Sequence, residues 1–456
     1  MGRISKLWAA VGIVALGFLV ALEFAARHYG MPGPLTNQAR EVIFAPKSGG
    51  LLYAGMALMM VVLTWRQRLV SLAAAVGIDL VIVGVRFVFD LGTGGGHPYG
   101  TGALWVILAH AVIAFTRRSG AERVLLLKGV GLGLLLVAGR KTGDTWLVIT
   151  SKTRHTVLDQ YVAAADQALG NPSWLVGRVV VASGKIGFNL LDFVYGQLAV
   201  AAVIAALYQL RNVATERRFP RHHLVRTFLV IGLVGPACYM IFPVVGPLYA
   251  YGVGNEQWAD ISFWQPDSPP TLPWAVADLW PDTAPTISAP HPIPFDGITP
   301  RNCMPSLHTA WATAIFIHTR KAPRGLRWAG TIWLVATLAA TLGFGYHYGA
   351  DLLAGVVFTL TIEAALRTYD RGWDRSGLRL TAYGAVVFVA LLLSYRFIPV
   401  QLAELPWLSG PVLLLAMASV VYGYVRVVGR WDRVEVPEPR QEPEGDDAGA
   451  PQRELI

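Results

Sequence analysis

The sequence predicts an all-α, polytopic transmembrane bundle of about twelve helices, and three observations carry that prediction. Of 456 residues, 54% are hydrophobic and only 15% charged, where an ordinary soluble domain has roughly 25% charged. Apolar runs approaching the roughly 20 residues that cross a bilayer recur along the chain. Lys and Arg gather in alternate connections between those runs, which is the mark of membrane topology. The net charge of +9 is thus spread through loops rather than gathered in a patch, and no nucleic-acid partner is expected.

The runs fall near residues 7–26, 49–65, 69–88, 101–116, 123–139, 189–210, 224–246, 304–319, 327–346, 348–366, 379–398 and 407–426. The first resembles a secretion signal, but it is long and Glu23-Phe24-Ala25-Ala26 makes a poor cleavage site, so it reads as an uncleaved helix. Residues 1–122 form an N-terminal four-helix region with Asp79, Arg86 and His110 inside apolar runs. Such groups are costly in a bilayer and are paired or functional. They read either as scaffolding for the rest of the chain or as a second substrate or ion pathway. Residues 123–366 form a six-helix catalytic core, 367–430 a two-helix region, and 431–456 a disordered tail rich in Pro, Glu, Asp and Gly.

Arg66/Arg68, Arg117/Arg118/Arg123, Arg211/Arg217/Arg218/Arg221, Arg320/Lys321/Arg324/Arg327 and Arg367/Arg371/Arg375/Arg379 share one side, while 89–100 and 399–406 carry no Lys or Arg. Both termini are then cytoplasmic, in what is expected to be a bacterial plasma membrane. The connection 140–188 breaks the charge rule with Arg140, Lys141, Lys152, Arg154, Arg178 and Lys185. Leu158, Tyr161, Val162, Ala165 and Leu169 recur there at helical spacing, predicting a helix along the membrane interface. Its cations meet lipid headgroups, or some of them clamp a phosphate, with Arg140 and Lys141 at a helix end the best placed. The connection 247–303 holds Trp258, Trp264, Trp274 and Trp280 with ten prolines from Pro266 to Pro300, and reads as an aromatic cap: a lid over a site or an interfacial belt. Arg301 closes it. Cys238 and Cys303 differ in expected depth, so no disulfide is expected.

The chemistry concentrates between Arg301 and Gly355. Met304-Pro305-Ser306-Leu307-His308 stands where the Pro-rich connection enters an apolar run, with Pro305 at a position that a first helical turn tolerates. A helix start offers free N–H groups to an anion, so a phosphate fits beside His308, with Ser306 among its ligands. His347 and Asp351 are four apart, on one helical face, where the carboxylate orients the imidazole. One oriented histidine and one free to give a proton suit phosphoryl transfer through phosphohistidine. No HExxH, cysteine cluster or further carboxylate at ligand spacing is present in the sequence, so neither metal nor other cofactor is expected.

Pro305-Ser306-x-His308 and His347-x-x-x-Asp351 resemble the second and third motifs of the type 2 phosphatidic acid phosphatase superfamily. MPSLHTAWA, HYGADLLAG, LDQYVAAADQALGNPSW and FPVVGPLYAYG most resemble its inositol phosphorylceramide synthase-like branch, the likeness covering about residues 140–366. That resemblance implies His347 as nucleophile, Asp351 as its orienting partner and His308 as leaving-group acid. It implies phosphatidylinositol as phospholipid donor and a ceramide or other lipid alcohol as acceptor; the charge-based topology, independently, puts His308 and His347 at the non-cytoplasmic ends of their helices, where they converge on one site. Ala340 and Thr341 stand where phosphatase members carry Ser-Arg, and the Lys-x6-Arg-Pro first motif is absent. Phosphate-binding cations must come from elsewhere, with Arg301, Arg140 and Lys141 the candidates. Water as acceptor would make a lipid-phosphate phosphatase; a twelve-helix transporter is the reading of another class, against which stands the lack of a repeat between the halves.

Overall fold

The computed structural model describes residues 3–43, 46, 48–91, 97–251, 280–297 and 299–434. These are almost wholly helical; the strands are the two-residue Thr156–Val157 and Ile293–Pro294, paired antiparallel. Among the described residues, seven helices are long and apolar enough to cross a membrane: Trp65–Val88, Leu198–Glu216, Leu224–Ile241, Arg324–Gly343, Gly349–Asp370, Arg375–Phe397 and Pro406–Arg433. Gly49–Val62, Thr101–Arg117 and Pro172–Ala182 are shorter apolar helices. The protein is an all-α multi-pass membrane protein.

Several boundaries differ from the sequence reading. The apolar run that ends at 139 continues as one helix, Gly120–Thr153, because Thr142, Thr145, Val148 and Ile149 keep a buried face at helical spacing and Arg140 pairs with Asp144 at 2.8 Å. Arg140 and Lys141 therefore lie inside a helix and not at its end. The run 304–319 becomes Leu307–Thr319, only 13 residues, capped by Ser306, so Pro305 precedes the helix rather than opening it. The run 189–210 is divided between the helices Gly184–Gly196 and Leu198–Gln209. The last helix runs to Val434 with Trp431 buried, taking the first residues assigned to the tail; 435–456 lie outside the described residues.

The expected interfacial helix is Asp159–Gln167, and its apolar face meets protein instead of lipid. Leu158, Val162, Ala165 and Ala168 join the core formed with the Gly349–Asp370 and Arg375–Phe397 helices. In the N-terminal region the helices Gly49–Met59 and Gly120–Thr153 touch backbone to backbone. A Cβ on Gly133 would stand 2.5 Å from the Gly55 carbonyl oxygen, so only glycine permits that approach.

Asp79 is occupied in structure: it accepts the N–H groups of Gly100 and Gly102 at 2.7 Å each and the Tyr53 hydroxyl at 2.8 Å, tying one helix to the start of the next. His110 lies 2.9 Å from the Val106 carbonyl and 3.4 Å from Ser71 Oγ. These contacts fit the scaffolding reading of the N-terminal region.

The Arg-rich end of the bundle is held by Glu363, fully buried, which accepts from Thr227 at 2.6 Å, His318 at 2.7 Å and Arg367 at 3.3 Å and lies 2.8 Å from His222 Nε2. Gln209 Oε1 accepts the Leu224 N–H, which turns its NH2 toward His318 Nδ1 at 2.8 Å. His318 therefore carries its proton on Nε2 and donates it to Glu363. The Tyr424 hydroxyl donates to it as well at 3.4 Å, so one carboxylate joins four helices and a loop.

Candidate active site

Three loops converge at the opposite end: Phe242–Gly246, Arg301–Ser306 and Phe344–Tyr348, nearly all buried. Non-helical backbone at membrane depth needs internal partners, and here it has them. The Cys303 N–H donates to the Val244 carbonyl at 3.1 Å, Leu248 to Gly345 at 2.8 Å, and Ser306 to Asp351 at 3.2 Å. Gly246 has φ +97°, and a Cβ there would stand 2.3 Å from the Tyr346 carbonyl oxygen.

This framework brings His308, His347 and Asp351 together. The two imidazoles lie 6.4 Å apart between centroids, and His347 Nδ1 is 3.4 Å from Asp351 Oδ2. Neither His347 Nδ1 nor Asp351 Oδ1 has a hydrogen-bond partner, so the pair stands close without a formed hydrogen bond. Asp351 Oδ2 also accepts the Tyr348 N–H at 2.8 Å, which fixes the carboxylate. Burial pushes the His347 imidazole down to about 3, against the smaller opposing pull of the Cys303 backbone, so the ring is neutral with a lone pair available.

The other expected residues are placed differently. Ser306 Oγ is the N-cap of its helix, accepting from Thr309 at 3.3 Å, and is fully buried. Arg301 is fully buried with its guanidinium on the carbonyls of Thr299, Asp296 and Arg154 and 3.7 Å from Asp296 Oδ1, which makes it a loop anchor. Arg140 pairs with Asp144, and both it and Lys141 line one cavity, apart from the histidines. Ala340 and Thr341 are fully buried, and the Thr341 carbonyl accepts the His347 N–H at 3.1 Å. Of the cap's tryptophans, Trp280 is buried and donates to the Gly343 carbonyl at 3.2 Å; Trp258, Trp264 and Trp274 lie outside the described residues.

Three further residues shape the site. Tyr195 stacks on His308 at 4.2 Å between centroids, and its hydroxyl is 3.0 Å from His308 Nδ1, leaving Nε2 outside that contact. Asp159 accepts from Val245 at 3.0 Å, Gly246 at 2.8 Å and the Tyr348 hydroxyl at 3.0 Å. Asp166 accepts the Ala350 N–H at 3.0 Å. Burial raises each of these carboxyls to about 7, opposed by the hydrogen bonds they accept. Asp159 and Asp166 are seven apart, two turns along one face, a spacing visible in the sequence. Tyr195 reaches the site only through tertiary packing and left no such signal.

Two groups bring three metal-ligand atoms within 4.8 Å of one another: His222, His318 and Glu363, and Cys303, His347 and Asp351. In the first the His318 proton points at Glu363; in the second the Cys303 thiol donates to the Tyr346 carbonyl at 2.7 Å.

Comparison with curated proteins and with solved structures returned no match. Residues 6–149 match a family described as a domain of unknown function, DUF5933. Residues 160–365, which carry Asp159's neighbours, Tyr195 and the His308, His347 and Asp351 cluster, match the PAP2 superfamily, and this domain points to a phosphatase or phosphotransferase acting on lipid phosphates.

Proposed function

We propose that this protein is a membrane lipid phosphotransferase working through a phosphohistidine on His347, with chemistry like that of the inositol phosphorylceramide synthase branch. The observation that carries the reading is the pairing of two imidazoles 6.4 Å apart, one backed by a carboxylate and the other by a phenol. His347 Nε2 attacks phosphorus of a phospholipid such as phosphatidylinositol while Asp351 accepts the Nδ1 proton's hydrogen bond. The bond from phosphorus to the lipid oxygen breaks, and His308 Nε2 gives that oxygen its proton. A lipid alcohol then enters, returns its proton to His308, and its oxygen takes the phosphoryl group from His347.

An imidazolium at His308, beside His347, needs an anion close by, and the substrate phosphate supplies one. Arg140, with Lys141, is the cation that stabilises the charge growing on the phosphoryl oxygens; a preorganised donor of this kind contributes about 3 kcal/mol. The Arg-rich loops lie at the bundle end opposite the histidines, which supports a site facing away from the cytoplasm.

Labelled phosphatidylinositol supplied to the purified protein should leave an acid-labile adduct on His347, lost in His347→Ala and trapped longer in the absence of acceptor. An adduct on His308 would reverse the two roles, and release of free phosphoinositol at equal rate with or without lipid alcohol would make water the acceptor. Exchange of Arg140 and Lys141 together for alanine should slow turnover about a hundredfold, whereas Arg301→Ala should act through stability.

A further inference from the structure

Arg140 is a cation with an accessible side chain. It stands mid-helix in Gly120–Thr153, alongside the helix Leu224–Ile241: a Cβ on Gly139 would lie 3.0 Å from Leu229 and one on Gly143 3.8 Å from the Gly232 carbonyl. The same stretch of Leu224–Ile241 touches the start of the His308 helix, since Gly232 faces Trp311 and Gly235 faces Leu307. These contacts set Gly143 level with Trp311, one turn from His308 along its helix, with Arg140 further along and its guanidinium turned back toward Asp144. Yet 56% of its side chain is accessible, because it borders a cavity of about 720 Å³.

That cavity lies between two parts of the chain with separate family matches. Leu51, Ala54 and Leu58 line it from the N-terminal region, and Val200, Val203 and Ala206 from the region containing the histidines. Val200 and Ile204, on its lining, are about half exposed, 49% and 53%. Arg140, Lys141 and Asp144 supply its charge, positive by one in balance. Apolar walls with a few convergent polar groups are the features of a ligand pocket, and this polarity suits an anionic head on an apolar chain.

We propose that the N-terminal region is a substrate-binding element: together with the helix Leu198–Gln209 it encloses an acyl chain of the phosphate-bearing lipid, and Arg140 meets that lipid's phosphate. The proposal rests on the phosphotransfer reading for the identity of the lipid, but the cavity's occupant is tested without turnover. In this arrangement a region of unknown function sets which phospholipid reaches His347.

The full chain is reconstituted in phosphatidylcholine vesicles containing phosphatidylinositol with a diazirine at the end of one acyl chain, and illuminated. Adducts are expected within residues 49–58 and 198–206; adducts confined to other segments overturn the proposal. In a second arm, kcat/KM is compared for long- and short-chain phosphatidylinositol, with an expected gain of about fourfold per added methylene over the first few. Ala54→Trp and Val203→Trp, which fill the cavity from opposite walls, should each lower the long-to-short ratio more than tenfold; an unchanged ratio in a folded variant overturns the proposal. A wild-type protein that turns over no phospholipid would refute the phosphotransfer reading, and the adduct map would still decide the cavity's occupant.

Discussion

Tyr195→Phe removes one hydroxyl and retains the ring that stacks on His308 at 4.2 Å and 24°. The lost contact is the 3.0 Å hydrogen bond at His308 Nδ1. When His308 is protonated, Nδ1–H donates to the phenol oxygen, so the bond strengthens as the ring becomes charged and holds Nε2 toward the leaving oxygen. A hydrogen bond to a charged group contributes about 1.5–3 kcal/mol, and about 1.4 kcal/mol is a factor of ten in rate. Tyr195→Phe should therefore lower kcat roughly 10- to 100-fold with little change in KM. Tyr195→Ala should lose more, since an aromatic pair adds about 0.5–1.5 kcal/mol. The decisive assay compares a phospholipid with a donor bearing a nitrophenolate leaving group, which departs without a proton: Tyr195→Phe should slow formation of the phosphoenzyme from the first and leave the second near the wild-type rate. Equal slowing of both, or a normal rate with the natural lipid, would show that the phenol acts by packing and would refute the assignment of Nδ1 to Tyr195.

Asp159→Ala strands three buried donors at about 1–3 kcal/mol each, so thermal unfolding in detergent should move down by several degrees and kcat should fall as the Tyr348 loop shifts. With Asp159 and Asp166 raised by burial to about 7, the folded state holds their protons more tightly than the unfolded chain. The stability this contributes is full below the unfolded value near 3.8 and lost as pH rises through 7; the unfolding temperature should drop between pH 5 and pH 8, with a smaller slope in the doubly Asn-substituted protein. Cysteine placed at Ser288 should react with an impermeant thiol reagent in intact cells, and cysteine at Gly325 should not; the reverse pattern would invert the topology.

Residues whose geometry depends on local chain spacing were legible in the sequence. His347 and Asp351 meet through their closeness in sequence, but across a helix start and not on one helical face as expected: His347 lies in the loop before Gly349–Asp370 and Asp351 in its first turn; His308 is positioned by the boundary of its own helix. Residues whose role depends on tertiary packing were not. Tyr195 comes from another helix, and Glu363, an ionisable group within an apolar run, carried the usual signal of a buried charge without indicating that His222 and His318 would meet it. Arg140 was read as a helix-end residue because hydropathy falls at 139, whereas hydrogen bonding and a buried face carry the helix on to Thr153. Arg301 drew attention as a lone cation in a polar loop, but backbone carbonyls took its donors.

The length of the Leu307–Thr319 helix explains why the site has this composition. Thirteen residues span about 20 Å, whereas the twenty of Arg324–Gly343 span about 30 Å. Both start or end near the Arg-rich loop at 320–324, so His308 sits roughly 10 Å short of the far end of its neighbour, inside the bundle. The missing length is filled by buried loops, and these need the backbone hydrogen bonds and the carboxylates of Asp159 and Asp166 to satisfy their N–H groups. The same recess buries His347, which keeps its imidazole neutral. Gly120–Thr153 passes alongside Leu224–Ile241, and the accessible side chain of Arg140 borders the cavity that both helices line.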